Sequence, residues 1–219
     1  MSSPPLGVLG GTFDPVHIAH LRLAEEAREA LGLAGVRFVP SANPPHRNRP
    51  SVDAVHRLRM VELAIAGQPA FVADDRELRR ATPSYTIDTI ESLRAEVGAE
   101  RPICLIVGAD AFRLLETWHR WRELLGAAHL VVAHRPGFEI LPGTDALGEA
   151  FAARRTESSS DVWASAGGRI FPLAITPLDV SASRIRADLA AGRSPRYLLP
   201  DSVLRYIDSH HLYGIPDAA

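Results

Sequence analysis

The sequence predicts an α/β fold, a three-layer α/β/α arrangement around a largely parallel sheet with a small helical portion at the carboxyl end. Three observations predict it. Short apolar runs alternate with amphipathic stretches from the amino end onward, the signature of β-α-β units. Beyond about residue 175 those runs stop, and two short helical patterns follow. The chain has 219 residues, 46% of them hydrophobic and 23% charged. That size and composition fit one ordinary globular domain whose core needs neither metal nor disulfide. The whole is read as a single Rossmann-like domain, residues 1–219, with an α/β core over about 1–175 and a helical subdomain over about 176–219.

The strands expected in order are LGVLG (6–10), VRFVP (36–40), AFVAD (70–74), ICLIVG (103–108) and HLVVAH (129–134), with RIFPLA (169–174) as a sixth. Each is a short apolar run bounded by turn formers. The first helix is IAHLRLAEEAREALGL (18–33), where Leu21, Ala24, Ala27, Ala30 and Leu31 recur at helical spacing on roughly one face. Further helices are expected over 51–67, 86–97 and 145–155. The Ser- and Gly-rich stretch RRTESSSDVWASAGG (154–168) reads as a connecting loop. SRIRADLAAG and SVLRYIDSHH, joined by RSPRYLLPD, make the carboxyl-terminal helical part.

Charge narrows the partners. A formal charge of −2 and a pI near 6.5 provide no broad basic face for nucleic acid or an anionic membrane. Any anionic ligand must be met by local basic groups. No stretch reaches the ~20 apolar residues that span a bilayer, and the opening MSSPPLGVLGG lacks a leader's basic start and apolar core, so a cytoplasmic setting is expected. Cys104, in an apolar run, is read as a small buried hydrophobe.

In an open parallel sheet ligands bind beyond the carboxyl ends of the strands, where strand order reverses. Three polar clusters follow expected strands: GTFDPVHIAH, SANPPHR and GADAF. Gly10 and Gly11 end a strand just before a turn and a helix, so their missing side chains let a phosphate approach the backbone. His17 and His20 lie three apart at the helix start, hence on one face, where two imidazoles beside amino-terminal N–H groups suit triphosphate oxygens. A zinc site is the competing reading. It is disfavoured because no cysteine pair is near and His46 lies on another loop, so no protein metal site is expected.

GTFDPVHIAH resembles the T/HxGH motif of the nucleotidylyltransferase superfamily, with Ala19 standing where the family has Gly. SANPPHR (41–47), RELRRATPSYTIDTI (76–90), GADAFRLLETWHRW (108–121), VSASRIR (180–186) and the tail motifs YLLP and VLRYIDSHHLYG are together similar to the bacterial nicotinate mononucleotide adenylyltransferases. The resemblance covers nearly the whole chain. It implies that Gly10, Gly11, Thr12, Phe13, His17, His20, Gly108, Asp110, Ser183 and Arg186 contact ATP, with His17, His20 and Arg186 catalytic. It further implies a mononucleotide site of Asn43, His46, Arg47, Ser84, Tyr85, Thr86, Trp118 and Arg135.

Physical reasons accompany these roles. The Pro44–Pro45 pair stiffens the loop that bears His46 and Arg47. Exposed N–H groups before the helix at Ser84, Tyr85 and Thr86 can receive a carboxylate such as that of nicotinate, helix capping by Ser84 or Thr86 being the other role open to them. Asp110 can accept from sugar hydroxyls. Trp118 offers a flat face to a pyridine ring or packs in the core, and Trp121 is assigned to the core. Ser183 and Arg186, three apart at a helix start, suit the β- and γ-phosphates.

The expected reaction is direct in-line attack by the phosphate of nicotinate mononucleotide on the α-phosphorus of ATP, giving deamido-NAD and pyrophosphate, with Mg²⁺ carried on ATP. The alternatives are a sister adenylyltransferase acting on phosphopantetheine or nicotinamide mononucleotide, or a catalytically silent nucleotide-binding module.

Overall fold

In a computed structural model, which describes residues 3–43, 50–137, 140 and 145–214, six strands form one all-parallel sheet. They are β1 (Leu6–Gly11), β2 (Gly35–Pro40), β3 (Phe71–Ala73), β4 (Ile103–Gly108), β5 (His129–His134) and β6 (Ile170–Ala174). Their order is β3-β2-β1-β4-β5-β6. Strand order therefore reverses between β1 and β4, which pair from Leu6↔Ile103 to Leu9↔Ile106. All six expected strands are present, the third shorter than its apolar run.

The helices described are α1 (Ile18–Leu31), α2 (Ala54–Ile65), α3 (Thr86–Val97), α4 (Ala109–Arg113), α5 (Trp121–Ala127), α6 (Ala146–Arg154), α7 (Ser159–Trp163), α8 (Ala182–Ala190) and α9 (Asp201–Ser209). They form two layers. Because side chains alternate across a strand, Leu9 of β1 faces one cluster with Ala24, Ala27 and Leu31 of α1 and Met60 and Val61 of α2. Leu6 and Val8 face the opposite cluster with Ile87, Ile90 and Leu93 of α3 and Leu124 of α5. Ala30, expected on the buried stripe of α1, is exposed. It lies too far round the helix from Ala24 and Ala27 to reach the sheet.

The carboxyl-terminal helices share the first cluster, through Ile185 and Leu189 of α8 and Val203, Leu204 and Ile207 of α9. Gly32 ends α1 in the left-handed region at φ 61°, the conformation that favours Gly after a helix.

The stretch 154–168 is more than a connecting loop. It contains α7, whose Val162 is fully buried, and the Trp163 indole N–H donates to the Leu31 carbonyl at 2.9 Å. Thr156 Oγ1 donates to Asp161 at 2.6 Å, tying the turn before α7 to the helix itself. Cys104 is fully buried on β4, with burial pushing its thiol up to about 12, so it behaves as the small hydrophobe expected. Trp121 is buried, as assigned.

Candidate active site

Pairing between β1 and β4 ends at Leu9↔Ile106, before either strand ends, and it is in the crevice beyond such a switch point that open parallel sheets bind ligands. Gly10 and Gly108 sit at the adjacent strand ends, both exposed, and a Cβ added to either would meet nothing within 4 Å. Neither glycine fills a packing need of the protein. Their bare backbone faces the space a ligand would take.

His17 is the N-cap residue of α1 and His20 lies in its first turn. Their rings stack at 3.8 Å and 27°, so the three-residue spacing does put both on one face. The His17 backbone N–H donates to His20 Nδ1 at 3.2 Å. A backbone N–H only donates, so Nδ1 of His20 is unprotonated, and the neutral ring carries its proton on Nε2. Phe13 packs edge-on against the His20 ring at 5.1 Å. The Phe13 side chain is buried in the core, which leaves its main chain as the part that can face a nucleotide.

His17 is only 6% exposed, and burial holds its imidazole down to about 4, so it is neutral at pH 7. Its Nδ1 is buried without a hydrogen-bond partner among the described residues. A buried polar atom in that state costs about 1–3 kcal/mol, which an incoming oxygen would offset.

This burial has a consequence for acid stability. The unfolded chain protonates His17 near the ordinary histidine value, 6.5, whereas the folded protein does so only near 4. The unfolded state therefore binds more protons in between, and stability is lost as pH falls from about 6.5 to about 4, by roughly 3 kcal/mol in all. Denaturant titrations of wild type and His17→Asn at pH 7, 5.5 and 4.5 should show their stability difference moving against the wild type by about that amount. A difference that stays constant with pH would show that His17 does not resist protonation.

Arg186 of α8 reaches the same loop. Its Nη1 donates to the Asp14 carbonyl at 2.7 Å and lies 3.8 Å from the Asp14 carboxylate, while Nη2 donates to Ser183 Oγ at 3.4 Å. Ser183 is not the cap of α8: Ser181 is, accepting from the Arg184 N–H at 3.3 Å. The Ser183 hydroxyl is thus left at the start of the helix beside the guanidinium. Asp110 stands in the first turn of α4, its side chain almost wholly exposed and 3.6 Å from Arg113. Arg135 follows β5 and lies 3.5 Å from Asp179, just ahead of the VSASRIR segment.

On the other side of the crevice, Ser84 does not cap α3. Its Oγ accepts from the N–H groups of Ala42 and Asn43, at 3.0 and 3.1 Å, and its own N–H donates to the Asn43 carbonyl. Tyr85 is the N-cap residue, and its side chain makes no capping hydrogen bond. The first N–H groups of α3 are thus not capped by Tyr85, and uncapped groups of this kind can receive a carboxylate. Tyr85 packs against His119, ring centroids 4.3 Å apart and tilted by 30°, a pairing not anticipated from sequence. Trp118 is half-buried against the α3–α5 cluster, so one part of the ring packs while the rest is accessible. His46 and Arg47 lie outside the described residues.

Four further residues support the loop and had no role assigned from sequence. Asp14, 5% exposed, accepts from the Ser51 N–H at 2.8 Å and from the Tyr213 hydroxyl at 2.8 Å. Arg57, 1% exposed, donates to the Thr12 carbonyl at 2.6 Å and to the Val52 carbonyl at 3.2 Å. Asp14 belongs to the GTFDPVHIAH segment itself. Arg57, Ser51 and Tyr213 meet it only through the fold, across 37 to 199 residues of sequence.

Residues 8–188 match the cytidylyltransferase-like family model. A probable nicotinate-nucleotide adenylyltransferase of Dechloromonas aromatica is 51% identical over 213 residues, covering 96% of this chain and 98% of the relative. One of Pseudomonas fluorescens is 53% identical over 214 residues, covering 97% and 98%. The Plasmodium falciparum nicotinic acid mononucleotide adenylyltransferase complexed with NaAD shares the fold, with TM-score 0.71 and 16% identity over 97% of this chain and 98% of that one. Among the described residues no helix is long and apolar enough to cross a membrane. The chain belongs to the cytidylyltransferase-like family and, within it, to the nicotinate-nucleotide adenylyltransferases.

Proposed function

We propose that this protein transfers AMP from ATP to nicotinate mononucleotide, giving deamido-NAD and pyrophosphate in the biosynthesis of NAD. The observation that carries the reading is the convergence, at the switch point between β1 and β4, of the His17–His20 stack, the Arg186–Ser183 pair and two open glycines. Imidazole, hydroxyl, guanidinium and bare backbone together form a donor set for phosphate oxygens. The identity to nicotinate-nucleotide adenylyltransferases over almost the whole chain favours a pyridine mononucleotide as acceptor over phosphopantetheine, and catalysis over silent binding.

The step itself balances simply. A phosphate oxygen of the mononucleotide attacks the α-phosphorus, a new P–O bond forms, and the bond to the bridging oxygen breaks with its electron pair leaving on pyrophosphate. The attacking phosphate is already a nucleophile, so the protein acts by positioning two anions and stabilising the charge that builds on the leaving group. His20, Ser183 and Arg186 supply that stabilisation. His17, neutral at pH 7, adds no charge of its own and acts as a hydrogen-bonding group.

Mg²⁺ carried on ATP would supply neutralisation of part of the triphosphate charge. The donor set at the crevice suits phosphates that carry their own metal, and among the described residues no three His, Cys, Asp or Glu side chains converge as ligands. Asp110 serves ribose hydroxyls. Asn43, the start of α3, Trp118 and Arg135, with His46 and Arg47, serve the mononucleotide. A reaction that consumes ATP supports a cytoplasmic setting.

The test is incubation with ATP, Mg²⁺ and, in separate reactions, nicotinate mononucleotide, nicotinamide mononucleotide and 4′-phosphopantetheine, with chromatography of the products. Deamido-NAD and pyrophosphate are expected from the first, at a higher kcat/KM than the amide supports. Activity with 4′-phosphopantetheine alone would overturn the assignment.

A further inference from the structure

We propose that Tyr213, acting through Asp14, is a positioning residue that holds Arg186 against the β1–α1 loop for the triphosphate; this rests on the reading of the crevice as an ATP site. The hydroxyl of Tyr213 donates to Asp14 Oδ1 at 2.8 Å, and the Ser51 N–H donates to Oδ2 at 2.8 Å. The carboxylate is thereby locked in one orientation, with Arg186 Nη1 3.8 Å from Oδ2 and bonded to the main-chain oxygen of the same residue. The guanidinium is pre-aimed by a partner that cannot rotate away, which removes ordering entropy from the binding step.

The backbone at Tyr213 supports a role beyond filling space. Its φ of 66° lies in the left-handed region, which is strained for a bulky residue and persists only where surrounding contacts impose it. Burial, then the Asp14 charge, pushes the phenol well above its ordinary range, so the hydroxyl remains a donor at all physiological pH. The same carboxyl-terminal part meets the motif a second time, where the Leu198 carbonyl accepts the first N–H of α1, from Ile18, at 3.0 Å. Arg57 also faces Asp14, but its guanidinium is committed to the Thr12 and Val52 carbonyls. Arg186, about one-third exposed, is the one that can turn to a ligand.

A double-mutant cycle tests this. Calorimetric Kd values for α,β-methylene ATP with Mg²⁺ are measured on wild type, Tyr213→Phe, Arg186→Ala and the double variant, with melting temperatures and nicotinate mononucleotide binding alongside. Tyr213→Phe is expected to weaken the ATP analogue about 10-fold while leaving mononucleotide binding within about 2-fold, and to weaken it no further once Arg186 is absent. Additive losses, equal losses for both ligands, or an unchanged Kd would each overturn the proposal, leaving a hydroxyl that only supports folding.

Should Tyr213→Phe fail to fold, Asp14→Asn takes its place. It preserves shape and an acceptor for Ser51 while removing the charge opposite Arg186, and the same non-additive pattern with Arg186→Ala is expected. The analogue requires no acceptor, so this outcome is separate from that of the turnover assay: wild type that binds it but does not use nicotinate mononucleotide would refute the acceptor and leave the positioning role to be decided by the cycle.

Discussion

His20→Ala lowers kcat for AMP transfer by about 100- to 1000-fold, the usual cost of removing one pre-aimed donor from a developing negative charge. The structure explains why this ring is pre-aimed. The His17 N–H fixes its Nδ1 as acceptor, Phe13 abuts it edge-on, and the His17 ring stacks on its face. Proton position and ring orientation are both set before substrate arrives, so little reorganisation remains for the reaction.

Removing the ring leaves the His17 N–H without that acceptor and loses two half-buried ring contacts. The expected stability loss is about 1 kcal/mol, or roughly 3 °C in melting temperature. Steady-state pyrophosphate release and a circular dichroism melt measure both quantities. Turnover within a few-fold of wild type would refute the role; a collapse of the melt would show the ring to be structural instead.

What could be read from the chain and what could not divide along one physical line. The strands, the Gly10–Gly11 strand end, the His17–His20 pair and the Ser183–Arg186 pair are visible because each depends on neighbours within a few residues. The short helices α4 and α5 fall in a stretch too brief to show a helical period. Helix α7 hid in a Ser-rich segment because its anchor is tertiary: Trp163 bonds to Leu31, 132 residues away.

Ser84 illustrates the same limit from the other side. Its position before a helix suggests a cap, yet its hydroxyl serves the Ala42 and Asn43 N–H groups on the end of another strand's loop. Sequence leaves capping open to it, whereas the fold gives it this cross-loop hydrogen bond instead. Arg57 and Tyr213 were beyond reach altogether, since nothing near either residue in the chain announces Thr12 or Asp14. The active loop is therefore legible as a motif, whereas its support is legible only as a fold.

Arg186→Ala lowers kcat/KM for ATP by about 100- to 1000-fold, and Arg186→Lys restores only a small part of it. On the proposed reading the guanidinium acts where charge accumulates as pyrophosphate leaves, and cations placed there are worth several kcal/mol of transition-state stabilisation. Lysine keeps the charge but not the fork. Arg186 uses one nitrogen on the Asp14 carbonyl and another on Ser183 Oγ, a division that a single ammonium cannot reproduce while also meeting two phosphate oxygens.

The effect should divide unevenly between kinetic constants. Because Arg186 touches the loop before substrate binds, part of its loss falls on KM for ATP, and because the leaving group gains charge in the transition state, a larger part falls on kcat. KM for nicotinate mononucleotide should move little. Initial rates across both substrates, with the variant's melting temperature as control, decide it. A loss confined to KM for ATP would reduce Arg186 to a binding residue, and a loss shared equally with the mononucleotide would place it between the two substrates instead of over the pyrophosphate.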